Sequence, residues 1–121
     1  MVSATSALNQ WLSLFGWPVY GRDDVPANAQ LPFITAPVTV PEWDQKTSYQ
    51  IQLWARSTEY AGLIRKADDI CAAVGAGLRI PFPGGLVVLW PDTPLQQLIP
   101  DGDCRRVLIM LQANVYSVPG M

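Results

Sequence analysis

Residues 48–56, Ser48-Tyr49-Gln50-Ile51-Gln52-Leu53-Trp54-Ala55-Arg56, run almost directly into a second pattern over 58–74, and this pair constrains the fold more than anything else in the chain. In the first stretch Tyr49, Ile51, Leu53 and Ala55 fall on one side and Gln50, Gln52, Trp54 and Arg56 on the other, the two-residue period of a strand with one buried face. In the second, Tyr60, Leu63, Ile64, Ala67, Ile70, Cys71, Val74 and Leu78 follow the i, i+3, i+4, i+7 spacing of an amphipathic helix. Glu59, Arg65, Lys66, Asp68 and Asp69 lie off that stripe. One residue separates the two patterns. The helix is therefore expected to fold back over the apolar face of the same sheet and make the core there.

Around this pair the remaining elements can be placed in chain order. Residues 3–15 carry Leu8, Trp11, Leu12 and Phe15 at helical spacing, with Ser3, Thr5 or Ser6 as caps and Gly16 and Pro18 as stops. Residues 19–26 are rich in turn formers and read as an exposed connection. In it, Asp23 and Asp24 read as a solvated turn rather than a metal site. Residues 31–40 read as extended but interrupted by prolines, which cannot donate to a ladder, and so as an edge strand or one with a bulge. Residues 41–46 would lead back to the central strand and give an antiparallel pair. Trp43 on that connection either packs on its own loop or anchors a contact. Gly75-Ala76-Gly77 stops the helix, residues 81–85 read as a stiff turn, and 86–90 as a short apolar strand. Residues 91–103 read as a proline-rich connection with a helical turn at 95–98.

The last element, 104–116, has the longest strand pattern. Val107, Ile109, Leu111, Ala113 and Val115 make one face, and Arg106, Leu108, Met110, Gln112 and Asn114 the other. That second face is only half polar, which suits either another subunit or water, and Gln50, Gln52 and Trp54 would line the same surface. The expected fold is thus α+β in the order α-β-β-α-β-β, an antiparallel four-stranded sheet with two helices on one face, in a single domain over residues 1–121.

The chain has no histidine, so the serine and cysteine triads and the histidine-bearing metal motifs are unavailable. Carboxylate chemistry would require Asp68 and Asp69, or Asp101 and Asp103, to converge in a cleft. Neighbouring helical residues point about 100° apart, which works against the first pair. Asp101-Gly102-Asp103 is a turn signature. Gly75-Ala76-Gly77 follows a helix instead of preceding one, so it is no dinucleotide fingerprint. With a net charge of −2 and scattered Lys and Arg, no nucleic-acid footprint or polybasic membrane anchor is visible. No apolar run approaches the ~20 residues of a membrane span. No catalytic, cofactor-binding or metal residue is assigned, and no cofactor is implied. Cys71 and Cys104 read as free thiols, with a disulfide between them as the alternative. Half the residues are hydrophobic, 15% are charged and five are Trp. That is apolar for a small domain, and points to surface covered by other subunits.

This order of elements is similar to that of the tail terminator, or tail-completion, proteins of long-tailed bacteriophages. The residues that carry the resemblance are Leu31-Pro32-Phe33-Ile34 leading into the first strand, Tyr49-Gln50-Ile51-Gln52-Leu53-Trp54 in the central one, and the Glu59-Tyr60 start and Ile70-x-x-Ala73-Val74 end of the long helix. The likeness spans roughly residues 1–116 and implies a structural role, without catalysis. Such a protein forms a ring, usually of six subunits, that caps the tail tube and joins it to the head connector. The resemblance thus implies as partners the chain itself, a tail tube protein and a head–tail connector protein, and as location the virion tail or neck after synthesis in the host bacterial cytoplasm. Trp and Arg dominate interface hot spots, so the candidate subunit contacts are Trp43, Trp54, Trp90, Arg105, Arg106 and Met110. The alternative class is a small-molecule-binding domain or carboxylate-dependent hydrolase, with a cleft between the long helix and residues 81–90.

Overall fold

A computed structural model describes residues 4–37 and 47–117. The chain runs α1 (Ala4–Ser13), β1 (Val19–Gly21), β2 (Phe33–Ala36), β3 (Thr47–Arg56), a 3-10 turn (Ser57–Glu59), α2 (Tyr60–Val74), β4 (Leu78–Phe82), β5 (Gly85–Asp101) and β6 (Cys104–Ser117). The central pair behaves as its periodicity dictates. Tyr49, Ile51, Leu53 and Ala55 of β3 are buried, as are Leu63, Ala67, Ile70 and Val74 of α2. Tyr60 is the departure from the stripe: it sits at the first turn of α2 and is 45% exposed. Leu78, counted with the helix by spacing, belongs to β4. The helix ends at Gly75, whose positive φ of 55° and N–H bond to the Cys71 carbonyl close the last turn.

The sheet is not the four-stranded antiparallel one expected from the sequence. Among the described residues it has six strands in the order β1-β2-β3-β6-β5-β4, and it is mixed, because β1 pairs with β2 in parallel while the other pairs among these strands are antiparallel. Residues 19–21, read as an exposed connection, form β1. Their pairing is flanked by bonds from the Ile34 N–H to the Pro18 carbonyl and from the Arg22 N–H to the Ala36 carbonyl. Residues 78–82 form β4, which takes in the first two residues of the stiff turn expected over 81–85. The supposed connection over 91–103 is instead the far half of β5, paired with β6 from Gln96 to Asp101.

The prolines that disguised this strand are tolerated for a positional reason. β4 pairs with β5 only as far as Leu89, so beyond it one edge of β5 is free, and a proline there costs no ladder bond. A register irregularity between Pro91 and Gln96 breaks β5 into two runs. Such an irregularity bends a strand and increases its twist, and the sheet curls into a half-barrel.

One core cluster joins α1 (Ala4, Ala7, Leu8, Leu12), α2 and the inner face of the sheet, including Val87 and Leu89 of β5 and Val107, Ile109, Leu111, Ala113 and Val115 of β6. Burying each large aliphatic side chain here contributes about 1.5–3 kcal/mol. Helix α2 packs on β3, β5 and β6, and α1 on β4 and β5. Lys66 of α2 donates to the Phe15 carbonyl and lies 5.5 Å from the centre of the Trp17 ring, tying the turn after α1 to the second helix. Cys71 and Cys104 are both free thiols. Burial pushes the Cys71 thiol above its ordinary value; the Gln96 amide that bonds its sulfur lowers it in part, and the Asp68 charge raises it further.

Candidate functional site

Because side chains alternate along a strand, the register that places the core on one face fixes the composition of the other. Phe33, Trp54, Arg106 and Ile99 stand opposite one another on β2, β3, β6 and β5, forming one row across the outer face. Thr35, Gln52, Leu108 and Gln97 form the next row. Gln50 and Met110 follow, and then Ser48, Gln112 and Trp90. Among the described residues neither helix packs on this face.

The first row is tightly organised. The rings of Phe33 and Trp54 stack at 6.1 Å with 30° between planes, and Tyr20 of β1 meets Phe33 edge-on at 5.6 Å. The Arg106 guanidinium lies 4.9 Å from the centre of the Trp54 ring. Four side chains thus form a continuous strip from the β1 edge to the middle of the sheet. Two hydrogen bonds fix the strip from the second row: the Trp54 indole N–H donates to Thr35 Oγ1 at 3.2 Å, and Arg106 Nη1 donates to Gln52 Oε1 at 3.0 Å. Arg106 Nε is buried without a hydrogen-bond partner among the described residues. A shallow cleft of about 260 Å³ lies beside the strip, lined by Arg22, Val25, Phe33, Thr35, Gln52 and Trp54. An aromatic platform with a stacked arginine is suited to receiving another protein's apolar and acidic side chains.

Of the residues singled out in the sequence, Trp54 and Arg106 are therefore brought into contact. Met110 is four residues along β6 from Arg106, and the Gln97 amide reaches its sulfur at 4.0 Å. Trp90 lies in the fourth row, six residues along β3 from Trp54, or roughly 20 Å at the rise of a strand. There it lines a second, larger cleft of about 650 Å³ with Gly77, Arg79, Leu86, Val88 and Tyr116. Arg105 falls on the alternate register position, and its guanidinium bonds the Gly102 and Cys104 carbonyls, bracing the β5–β6 turn. Trp43 lies outside the described residues. Tyr20 and Phe33 complete the strip and were not expected to contribute, whereas Gln52 lies on the surface where its alternation with Trp54 placed it. The alternation of Phe33 and Thr35 held the signal for Phe33, but it is readable only once β2 is known to pair with β3.

The described acids of the alternative reading, Asp68, Asp69 and Asp103, have separate surroundings. Asp68 accepts from the Gln96 amide at 3.2 Å, Asp69 borders a separate surface hollow with Glu59, Arg65 and Lys66, and Asp103 is exposed at the β5–β6 turn. The side chain of Asp101 lies outside the described residues. Among the described residues no carboxylate lines the Trp90 cleft. Among the described residues no group of three or more Cys, Asp or Glu is placed to hold a metal ion, and no helix is long and apolar enough to cross a membrane.

No protein-family model matches the chain, and no curated protein matches it. Seven solved chains are similar to it. One, whose name carries no functional description, superposes with a TM-score of 0.57 at 14% sequence identity, covering 93% of this chain and 90% of its own. At that identity the likeness establishes a shared fold.

Proposed function

We propose that the protein is a structural subunit of a bacteriophage or prophage virion, a tail terminator or tail-completion protein that acts through its surfaces and not through catalysis. On this reading it assembles into a ring, of six subunits in the form the resemblance implies, which caps the tail tube and meets the head connector. The observation that carries the proposal is the outer face of the sheet. A half-buried strip of Tyr20, Phe33, Trp54 and Arg106, on which neither helix packs among the described residues and which Leu108 and Met110 continue, has the aromatic, arginine and methionine content of an interface centre. It holds no converging acid–base pair. The apolar positions of β3 and α2 by which the chain resembles the terminator family support the same reading.

Capture of purified tail tube protein by the immobilised chain, together with light scattering over a concentration series, tests it. The expected result is retention of tube protein by the parent and its loss in Trp54→Ala and Arg106→Ala variants that keep the parent's circular dichroism. Failure both to self-associate and to retain tube protein would refute the proposal.

A further inference from the structure

The two ends of the sheet differ in chemistry. At one end stands β4, whose second edge is unpaired among the described residues, with α1 packed beside it. Residues 1–21 contain no charged side chain, and between 70 and 91 the only one is Arg79. This flank is therefore almost free of charge. It also exposes apolar surface: a groove of about 480 Å³ between α1 and β4 is lined by Trp11, Leu14, Leu78, Ile80 and Phe82, and Leu14 is 80% exposed. Arg79 borders both this groove and the Trp90 cleft on the outer face. It stands on the rim between them, and among the described residues it enters no ion pair. Depletion of charge around a few aromatic side chains and one arginine is the composition of an interface centre.

At the opposite end β1 has the other unpaired edge. Just beyond it Arg22, Asp23 and Asp24 are all exposed; Arg22 lines the small cleft with Phe33 and Trp54, and the two aspartates leave this edge net acidic. Among the described residues neither is in an ion pair. Val25 beside them is 36% exposed. One end thus offers a groove and a lone cation; the other offers two carboxylates and a small apolar side chain.

Resting on the self-assembly reading above, we infer that a second copy of this chain docks its β1 end on the α1–β4 flank, with Val25 against the Leu14 groove and Asp23 or Asp24 paired with Arg79. The two surfaces are different, so the contact is head-to-tail, the kind that generates a ring if the rotation closes.

Charge reversal tests the pairing directly, because all three charged side chains are exposed and their replacement spares the core. Arg79→Asp, and separately the double variant Asp23→Arg with Asp24→Arg, are followed by sedimentation velocity over a concentration series, with circular dichroism to confirm folding. Each variant alone should associate roughly tenfold or more weakly than the parent, since like charges then face each other. Mixed in equal amounts, the two should associate again, since each retains one original surface that fits the other chain. If the parent associates and both variants do so equally well, or if the mixture behaves like the separate variants, the pairing is wrong while self-assembly stands. A parent that stays monomeric throughout also overturns the pairing, and capture of tube protein then decides the reading beneath it.

Discussion

Replacing Tyr49 with Phe should stabilise the protein, and more so as the pH rises. Tyr49 is 1% exposed, on β3 opposite Leu111 of β6, and its hydroxyl is buried with no hydrogen-bond partner among the described residues. Phe retains the ring and its packing and removes a polar group that loses water on folding without compensation. An unsatisfied buried group costs about 1–3 kcal/mol. Allowing for the small void left by one oxygen, Tyr49→Phe should gain about 1 kcal/mol at neutral pH. For a chain of this size that is about 4 °C in melting temperature. The pH dependence is the sharper test. Burial pushes the Tyr49 phenol well above the ordinary tyrosine value of 10.0. Below that value the phenol is neutral in both states and adds no pH dependence. Above it the unfolded chain ionises Tyr49 while the folded chain holds the proton, so folding stability falls as pH rises. From pH 10 to 11 the parent should lose about 1 kcal/mol that the Phe variant keeps. Urea denaturation of both proteins at pH 7, 10 and 11 measures the difference. A Phe variant weaker than the parent at pH 7 would mean that the hydroxyl is satisfied. Parallel losses from pH 10 to 11 would mean that it ionises in the folded state.

Ile70→Asp places an unpaired charge in the contact between α2 and the sheet, where Ile70 is fully buried, and its cost of several kcal/mol should unfold the domain; Asp69→Ala, at an exposed position, should leave circular dichroism and melting unchanged. Gly85→Ala should destabilise by about 1–3 kcal/mol in thermal denaturation, because a Cβ there would lie 2.5 Å from the Tyr116 carbonyl oxygen and 2.6 Å from the Phe82 ring. Trp54→Ala and Arg106→Ala, each removing half of the stacked pair, should weaken binding to tail tube protein by about 2 kcal/mol or more, read by calorimetry. A calorimetric change under about 0.5 kcal/mol in both would place the contact away from the strip.

The elements legible in the sequence were those whose one-sided burial is written as a period. β3, α2 and β6 each present one face to the core along their whole length, so alternation or helical spacing survives from end to end, and their bounds agree with the pattern to within a few residues. The elements that escaped lack such a pattern for separate reasons. β1 is three residues long, too short for a period, and depends on two flanking backbone bonds supplied by β2. β4 contains Pro81, and its turn residues Pro83 and Gly84 dominate the local composition. The far half of β5 holds Pro91, Pro94 and Pro100, which argue against a strand until it is known that β4 has ended and left that edge free. In this way local propensity was outvoted by which neighbour a strand has, a fact of topology.

The same distinction explains why the candidate surface was only half visible. Trp54 and Arg106 could be chosen singly, since each lies on the polar side of an alternating strand and each is a residue type that interfaces favour. What makes them a site is the cross-strand register, Phe33 opposite Trp54 and Trp54 opposite Arg106, because only that register turns residues 21 and 52 positions apart in the sequence into one stacked strip. Arg105 shows the converse. It is adjacent to Arg106 and chemically identical, yet one step along a strand puts it at the other register position, where it bonds the carbonyls of the β5–β6 turn. A surface assembled by register has no motif, and its residues are found by pairing the strands first and reading the uncovered face across them second.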